Sequence, residues 1–271
     1  MRRNGCVLPP HPYQVLACVL LVLGPVEFFA VASPVLPLGL RAVLSVLFGS
    51  CFVGVLGTLV AATALDPSQL PSRPDAEKVC SICKVQVDET CKHCSYCDRC
   101  VAGFDHHCKW LNNCVGKRNY RYFIGSLAAL VPLLLVMLIG NAVALGELVE
   151  NTDVDTLGQK GKTLCAALFG AVLFGTISGL IAVAQLLCFH LYLRKHQLTT
   201  FDYITQKRRE VNPQSPSAGR KLVLTRTHSI SQVQPCQDFS VLFAIPPGSE
   251  PDTVTQASSL GDTLGPPDGA N

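Results

Sequence analysis

Between Cys80 and Cys114 the chain places eight of its fourteen cysteines and three of its seven histidines. The order is Cys80-x2-Cys83, nine residues, His93-Cys94, two residues, Cys97, two residues, Cys100. Four residues later comes Asp105-His106-His107-Cys108, and five residues after that Cys114. Paired Cys-x2-Cys knuckles with histidines nearby are zinc chemistry, because thiolate and imidazole are preferred donors and a tetrahedral ion takes four. Eleven donors fill two such sites and leave three over. Disulfides would require an oxidising compartment. An iron–sulfur cluster would account for the thiols but not for the histidines. The spacing of a DNA-reading finger, Cys-x2–4-Cys-x12-His-x3–5-His, is absent.

The surplus residues carry the second kind of chemistry. Asp105, His106 and Cys108 stand within four residues. A thiol with an ordinary pKa of about 8.5 is mostly protonated at neutral pH. A neighbouring imidazole can accept its proton, and a carboxylate can orient that imidazole and stabilise its charged form. Spacing alone does not say which of His106 and His107 has this role. Cys91 reads as an unused thiol. A purely structural zinc module with spare cysteines is the plainer alternative.

The rest of the chain must hold this segment in place, and its composition says where. Of 271 residues, 49% are hydrophobic and 15% charged. Soluble domains carry about 25% charged residues. The mean hydropathy is +0.34. These values exclude a disordered or highly charged nucleic-acid-binding chain, and a net charge of +3 names no polyanionic partner. Four apolar runs, Tyr13 to Ser33, Leu40 to Leu65, Tyr122 to Val149 and Leu164 to Leu193, are each long enough to cross a bilayer as helix. Nineteen of 22 Lys and Arg fall before the first run, between the second and third, or after the fourth. The positive-inside rule puts those segments in the cytosol, where thiols stay reduced. Arg2, Arg3 and the Ala30-Val31-Ala32 stretch also resemble a cleavable signal, but the long apolar run favours a retained anchor.

The expected fold is an all-α integral membrane protein with four transmembrane helices and a cytosolic cysteine-rich two-zinc domain between helices two and three. The divisions are 1–12 (cytosolic), 13–65 (helices one and two), 66–121 (zinc domain), 122–193 (helices three and four, with a short luminal loop) and 194–271 (cytosolic tail). The tail from Asn212 onward is rich in Pro, Ser, Gly and Thr and reads as disordered. No internal repeat at a fixed spacing stands out. Within the spans, Asn141 and Gln185 read as interhelical hydrogen-bond partners, Glu27 and Glu147 as near-luminal groups, and Gly175-x3-Gly179 as a close-approach motif. His190 reads as structural or interfacial.

The run Asp105-His106-His107-Cys108 with its flanking Cys and His resembles the DHHC family of protein S-acyltransferases (palmitoyltransferases). The pattern C-x2-C-x9-H-C-x2-C-x2-C-x4-D-H-H-C-x5-C-x4-N-x3-F is met throughout and ends in Asn119 and Phe123. Lys109-Trp110-Leu111-Asn112-Asn113 and Leu198-Thr199-Thr200 most resemble the mammalian branch numbered one and eleven. The resemblance implies one zinc on Cys80, Cys83, His93 and Cys100, and a second on Cys94, Cys97, His107 and Cys114. It makes Cys108 the nucleophile, His106 the general base and Asp105 its orienting partner. It implies palmitoyl-CoA as acyl donor and cysteine-bearing proteins at the cytosolic membrane face as acceptors, with no nucleic-acid partner. The host membrane would be endoplasmic reticulum, Golgi or endosome.

Two departures stand out. Val87, Asp88, Glu89 and Thr90 occupy a stretch that is basic in many members, so Lys84, Lys92, Arg99, Lys117, Arg118 and Arg121 are the candidates for coenzyme A phosphates. Thr199-Thr200-Phe201-Asp202 has Asp where the family has Glu, and Thr200 is expected near Asp105. These departures motivate the competing reading, a membrane adaptor that uses its zinc module to bind partners. A transporter is the weakest reading, since no span carries an evident ion pathway.

Overall fold

The computed structural model describes residues 2–68, 78–151 and 154–211. The tail expected to be disordered from Asn212 lies outside them. Helix α1 (Pro12–Glu27) begins at a His11 cap, whose Nδ1 accepts from the Tyr13 N–H. Pro12 suits the first turn, where a backbone N–H has no helical partner. The chain then passes through a π-helical turn (Phe28–Ala32) and a 3-10 turn (Ser33–Val35), and returns as α2 (Leu38–Ala64) after Pro37. Helices α3 (Tyr120–Asn151), α4 (Val154–Lys195) and α5 (Thr200–Val211) follow the cysteine-rich segment.

Among the described residues four stretches are long and apolar enough to cross a bilayer: Pro12–Val35, Leu38–Ala64, Tyr120–Glu150 and Gly158–Lys195. They match the four expected spans, the second ending at Ala64, one residue short of Leu65, and the protein is a multi-pass membrane protein. The segment 150–163, expected as a loop, is largely helical. Helix α3 runs to Asn151 and α4 starts at Val154, with a break at Gly158 where φ is +69°. Their outward faces are apolar: Val46 and Val53 are each 69% exposed and Phe174 is 76%. Such faces suit lipid and not water.

Inside the bundle α3 is central and packs against both α2 and α4, while the π-helical turn lies against α3. Phe28 and Phe48 stack with ring centroids 4.4 Å apart. Gly140 makes room for them, since a Cβ there would lie 3.1 Å from Phe28 Cε2. Asn141 is buried and its Nδ2 donates to Glu27 Oε2 at 3.4 Å, the interhelical role expected of it. Gln185 is exposed on α4 instead. Positions 175 and 179 open on empty space, so that glycine pair holds no helix close.

The cysteine-rich segment is three antiparallel two-stranded hairpins: β1 (Lys78–Val79) with β2 (Gln86–Val87), β3 (Lys92–Cys94) with β4 (Arg99–Val101), and β5 (His106–Cys108) with β6 (Asn113–Val115). Their registers coincide at a spacing of fourteen residues: Val79↔Gln86, His93↔Cys100, His107↔Cys114. Each turn closes on a residue of positive φ, Lys84 (+55°), Asp98 (+51°) and Asn112 (+51°), again fourteen apart. Cys80, Cys94 and Cys108 hold equivalent positions, as do Cys83, Cys97 and Leu111. The segment is therefore an internal repeat, contrary to the sequence expectation. The repeat hides in sequence because each donor set straddles two hairpins, so cysteines grouped by metal set do not display the fourteen-residue period.

An N-terminal arm ties this repeat to the membrane bundle. Arg2 N donates to Cys97 O at 3.0 Å, and its guanidinium binds Asn112 Oδ1. Gly5 N donates to Thr63 O at 2.8 Å. Only glycine fits there, because a Cβ would sit 2.0 Å from Leu111 O. Tyr13 stacks on Trp110 at 5.2 Å. Asn113 Nδ2 caps the end of α2 through the Ala62, Thr63 and Leu65 carbonyls at 3.0–3.2 Å.

Candidate metal centres and thiol site

Each donor set is assembled from two successive hairpins. A turn supplies Cys-x2-Cys, and the next hairpin supplies a cross-strand His/Cys pair. Cys80 and Cys83 thus meet His93 and Cys100, while Cys94 and Cys97 meet His107 and Cys114, and within each set the donor atoms lie within 4.8 Å of one another. A tetrahedral zinc with bonds of about 2.0–2.3 Å separates its ligands by about 3.3–3.8 Å. The distances here bracket that range: Cys83 Sγ to His93 Nδ1 is 3.2 Å, Cys97 Sγ to His107 Nδ1 3.4 Å, Cys114 Sγ to Cys97 Sγ 3.4 Å and Cys80 Sγ to His93 Nδ1 3.9 Å. The outer nitrogen of His93 faces Asp98 Oδ1 at 3.7 Å, an arrangement that orients a ligating imidazole. Burial and the neighbouring Cys100 and Cys80 sulfurs push the Cys83 thiol up to about 12. Both clusters can hold zinc, on the residues expected from the resemblance. Cys91, expected to be idle, is fully buried against Cys80 and Cys100.

The third hairpin has no such completion. Leu111 stands where the earlier turns have their second cysteine, and helix α3 follows in place of a further hairpin. Cys108 is thus the one turn cysteine outside both donor sets. It is 6% exposed and belongs to an apolar cluster with Ala62, Leu111, Phe123, Ile124 and Leu127, against which Leu59, Leu186 and Leu187 pack. Helices α2, α3 and α4 all contribute to that wall.

His106, one pleat before the His107 ligand, points to the opposite side of β5. Its Nδ1 lies 2.7 Å from Asp105 Oδ2. Asp105 is 3% exposed and is held from α5, whose first residue donates its N–H to Oδ1 at 2.9 Å and its hydroxyl to Oδ2 at 2.8 Å. The residue is Thr200, the position expected. A helix N-terminus suits a carboxylate, since its amides are free and its dipole end is positive. Thr199 and Asp202 build that terminus: Asp202 N donates to Thr199 Oγ1 at 3.1 Å and the Thr199 hydroxyl donates to Asp202 Oδ2 at 2.8 Å. Asp202 therefore serves as a helix cap, and its departure from Glu gives no reason to expect a weakened site.

The charges follow from these contacts. Burial works against the Asp105 carboxylate, but the His106 and Thr200 hydrogen bonds outweigh it and hold the carboxyl below its usual range. Burial also works against the His106 imidazolium. Asp105 on one side and the Cys108 sulfur on the other outweigh that, and push His106 up to about 10. The ring is thus suited to hold a proton taken from the thiol.

The basic residues divide. Lys84, Lys117 and Arg118 are exposed. Lys92 is half-buried with its ammonium 5.3 Å from the Phe201 ring centre. Arg99 corrects the sequence expectation: it is 0% exposed. Its guanidinium binds Asp66 Oδ1 at 2.8 Å, Ser68 Oγ at 3.2 Å, Asn113 Oδ1 at 2.7 Å and the Arg3 carbonyl. A residue enclosed in this way joins the zinc segment to the end of α2 and presents nothing to a phosphate.

Sequence reasoning missed one group. His190 of α4, taken as structural or interfacial, brings a ring nitrogen within 4.8 Å of ligand atoms of both Asp105 and His106. The helical run alone gave no signal, since the proximity depends on α4 crossing beside β5.

A multi-pass membrane protein with two Cys3His sets and, beside the second of them, an Asp-His pair and a cysteine that belongs to neither set falls into a narrow class. The family profile described as DHHC palmitoyltransferase matches residues 73–207. Human palmitoyltransferase ZDHHC11 is 33% identical over 249 residues, covering 77% of this chain and 60% of that protein. Human probable palmitoyltransferase ZDHHC11B is 32% identical over 251 residues, covering 77% and 67%. Mouse palmitoyltransferase ZDHHC8 is 32% identical over 240 residues, covering 78% and 30%. The chain belongs to the DHHC palmitoyltransferase family. It spans 60% of the ZDHHC11 length and 30% of the ZDHHC8 length.

Proposed function

We propose that this chain is a protein S-acyltransferase that takes a long-chain acyl group from acyl-CoA and passes it to protein cysteines through an acyl-Cys108 intermediate. The observation that carries this reading is Asp105–His106–Cys108, in which Cys108 is the turn cysteine left out of both donor sets and opens onto an apolar wall from three spans.

In the first half-reaction the Cys108 thiol gives its proton to His106, whose other nitrogen is held by Asp105. The sulfur attacks the thioester carbonyl, the carbon–sulfur bond to coenzyme A breaks, and the departing thiolate takes the proton back from His106. In the second half-reaction a target cysteine repeats the sequence on acyl-Cys108, and Cys108 leaves as the thiol. This is covalent double-displacement catalysis. The apolar wall favours a long chain, since each buried CH2 is worth about 0.8 kcal/mol. Zinc on the two Cys3His sets would fix the hairpins to one another; with all four positions filled by protein it has no open position for substrate.

The exposed Lys84, Lys117 and Arg118 are the groups we assign to the coenzyme A phosphates. Lys117 and Arg118 follow Val115, which pairs with His106. The charge distribution supports a cytosolic zinc segment and cytosolic termini in an endomembrane, with acceptor cysteines on proteins at that face. The test is incubation of detergent-purified chain with labelled palmitoyl-CoA. Wild type should take label that neutral hydroxylamine releases, and Cys108→Ser should take none while keeping two zincs. Equal labelling of both would end the proposal.

A further inference from the structure

His190 is 2% exposed within a membrane-spanning helix. A polar ring in such a place is costly unless it is partnered, and a partnered one is a functional suspect. Its Nδ1 lies 3.3 Å from the Tyr120 hydroxyl, at the first residue of α3. Its ring lies edge-on to Phe123 at 4.9 Å, and Phe123 lies edge-on to His106 at 5.3 Å. The His106 and His190 centroids are 5.8 Å apart. A nitrogen of His190 also comes within 4.8 Å of the Asp105 carboxylate.

His106 is therefore enclosed from two directions. Asp105 holds Nδ1, and Asp105 is itself fixed by the N-terminus of α5. The other enclosure is the Phe123–His190 wall, closed behind by Tyr120. Both parts are needed for proton transfer. A ring hydrogen-bonded at one nitrogen can still swing about that contact, and a swing of roughly 1 Å at the far nitrogen is enough to spoil transfer.

We propose that His190 and Tyr120 are positioning residues that act through His106. The Tyr120 hydroxyl donates to His190 Nδ1 and fixes the ring. The fixed ring, with Phe123, keeps the free nitrogen of His106 on Cys108. Neither residue touches the acyl thioester. The inference rests on the acyltransferase reading above, and it places two spans in the machinery of the cytosolic hairpin.

The experiment follows acyl-Cys108 formation in the full chain for wild type, Tyr120→Phe, His190→Leu, the double variant and His190→Asn. Tyr120→Phe removes one oxygen and keeps the ring packing. It should lower kcat about 10-fold, a part of the roughly 10²- to 10⁴-fold that general-base catalysis supplies. The KM for palmitoyl-CoA should stay within about twofold and the zinc content at two. The double variant should be no slower than His190→Leu, because Tyr120 acts only through His190. His190→Asn, which keeps a hydrogen-bonding atom at the Nδ1 position, should recover most of the His190→Leu loss. Multiplying defects, a change confined to KM, or variants matching wild type would overturn the inference. A wild type that takes no label would instead sink the acyltransferase reading itself.

Discussion

Leu111 stands beside Cys108 at the place where each of the first two hairpins carries its second turn cysteine. That difference, together with α3 following in place of a further hairpin, leaves Cys108 outside both donor sets. Cys80 and Cys94 are each followed three residues later by cysteine, and each is in a donor set. Cys108 is followed by an apolar side chain 2% exposed, which closes the turn without a second sulfur.

It follows that Leu111→Cys should rebuild a metal knuckle at Cys108, the thiol proposed to carry the acyl group. The turn already has the geometry, with Asn112 at a φ of +51° where Lys84 is at +55° and Asp98 at +51°. The variant should bind a third equivalent of cadmium or zinc, seen by metal analysis. Its acylation by labelled palmitoyl-CoA should fall at least about 10-fold, since a metal-bound thiolate is a poorer nucleophile. A weak chelator that leaves the two Cys3His sets loaded should restore labelling. Two equivalents of metal and wild-type labelling would refute the comparison between the hairpins.

Thr200 gives a sharper test of the carboxylate. Its N–H and hydroxyl both bind Asp105, and only the hydroxyl can be removed by mutation. Hydrogen bonds to charged groups are worth about 1.5–3 kcal/mol. Thr200→Val keeps the side-chain shape and the helix terminus, and should slow acyl-Cys108 formation about 10-fold. Thr200→Ser keeps the hydroxyl and should stay near wild type. Both should retain two zincs, so the rate reads the carboxylate and not the fold.

The basic residues should separate by phenotype. Arg99→Gln leaves Asp66 and the Asn113 amide oxygen without their cation. Removing one partner of a buried ion pair costs about 3–5 kcal/mol. Asp66 is partly exposed, so the lower figure applies. The expected result is a drop in thermal midpoint and yield, with an unchanged KM for acyl-CoA in the protein that folds. Lys117→Gln with Arg118→Gln should do the reverse, raising KM several-fold with unchanged stability. The KM defect should shrink at high salt, because exposed charges are screened. A rise in KM for Arg99→Gln would return that residue to the phosphate site.

Much of this was legible in the sequence because it rests on local rules. The four spans follow from length and apolarity and the two-zinc count from the number and spacing of the donors, while the division into two named sets came from the family resemblance. What the sequence concealed are relations between elements. Arg99 has the composition of a surface residue, and only the convergence of Asp66, Asn113 and the Arg3 carbonyl makes it internal. His190 lies in an ordinary apolar run and becomes part of the site because α4 crosses beside β5. The arm from Arg2 to Gly5 binds mainly through backbone groups, which no side-chain pattern encodes. The repeat was present as Cys80, Cys94 and Cys108, but grouping cysteines by metal set obscures it, since each set straddles two hairpins.

That straddling makes a prediction about metal removal. No member of either donor set needs to touch substrate for the metals to matter. The second set ties the Cys94–Cys97 turn to His107 and Cys114, which flank Cys108 on β5 and β6. The first set ties the remote Cys80–Cys83 turn to the middle hairpin. Stripping zinc should abolish acyl-Cys108 formation and expose the donor cysteines to alkylation, counted by mass spectrometry. The single variants should differ in degree. Cys114→Ser loosens β6, the strand paired with β5 and Cys108, and should eliminate labelling. Cys83→Ser loosens only the outermost turn and should leave a measurable fraction, of order 10%, at low temperature, because β5 and β6 keep their own metal. Equal and complete loss in both would mean that the three hairpins fold as one cooperative unit, and the outer metal would then matter as much to Cys108 as the inner one.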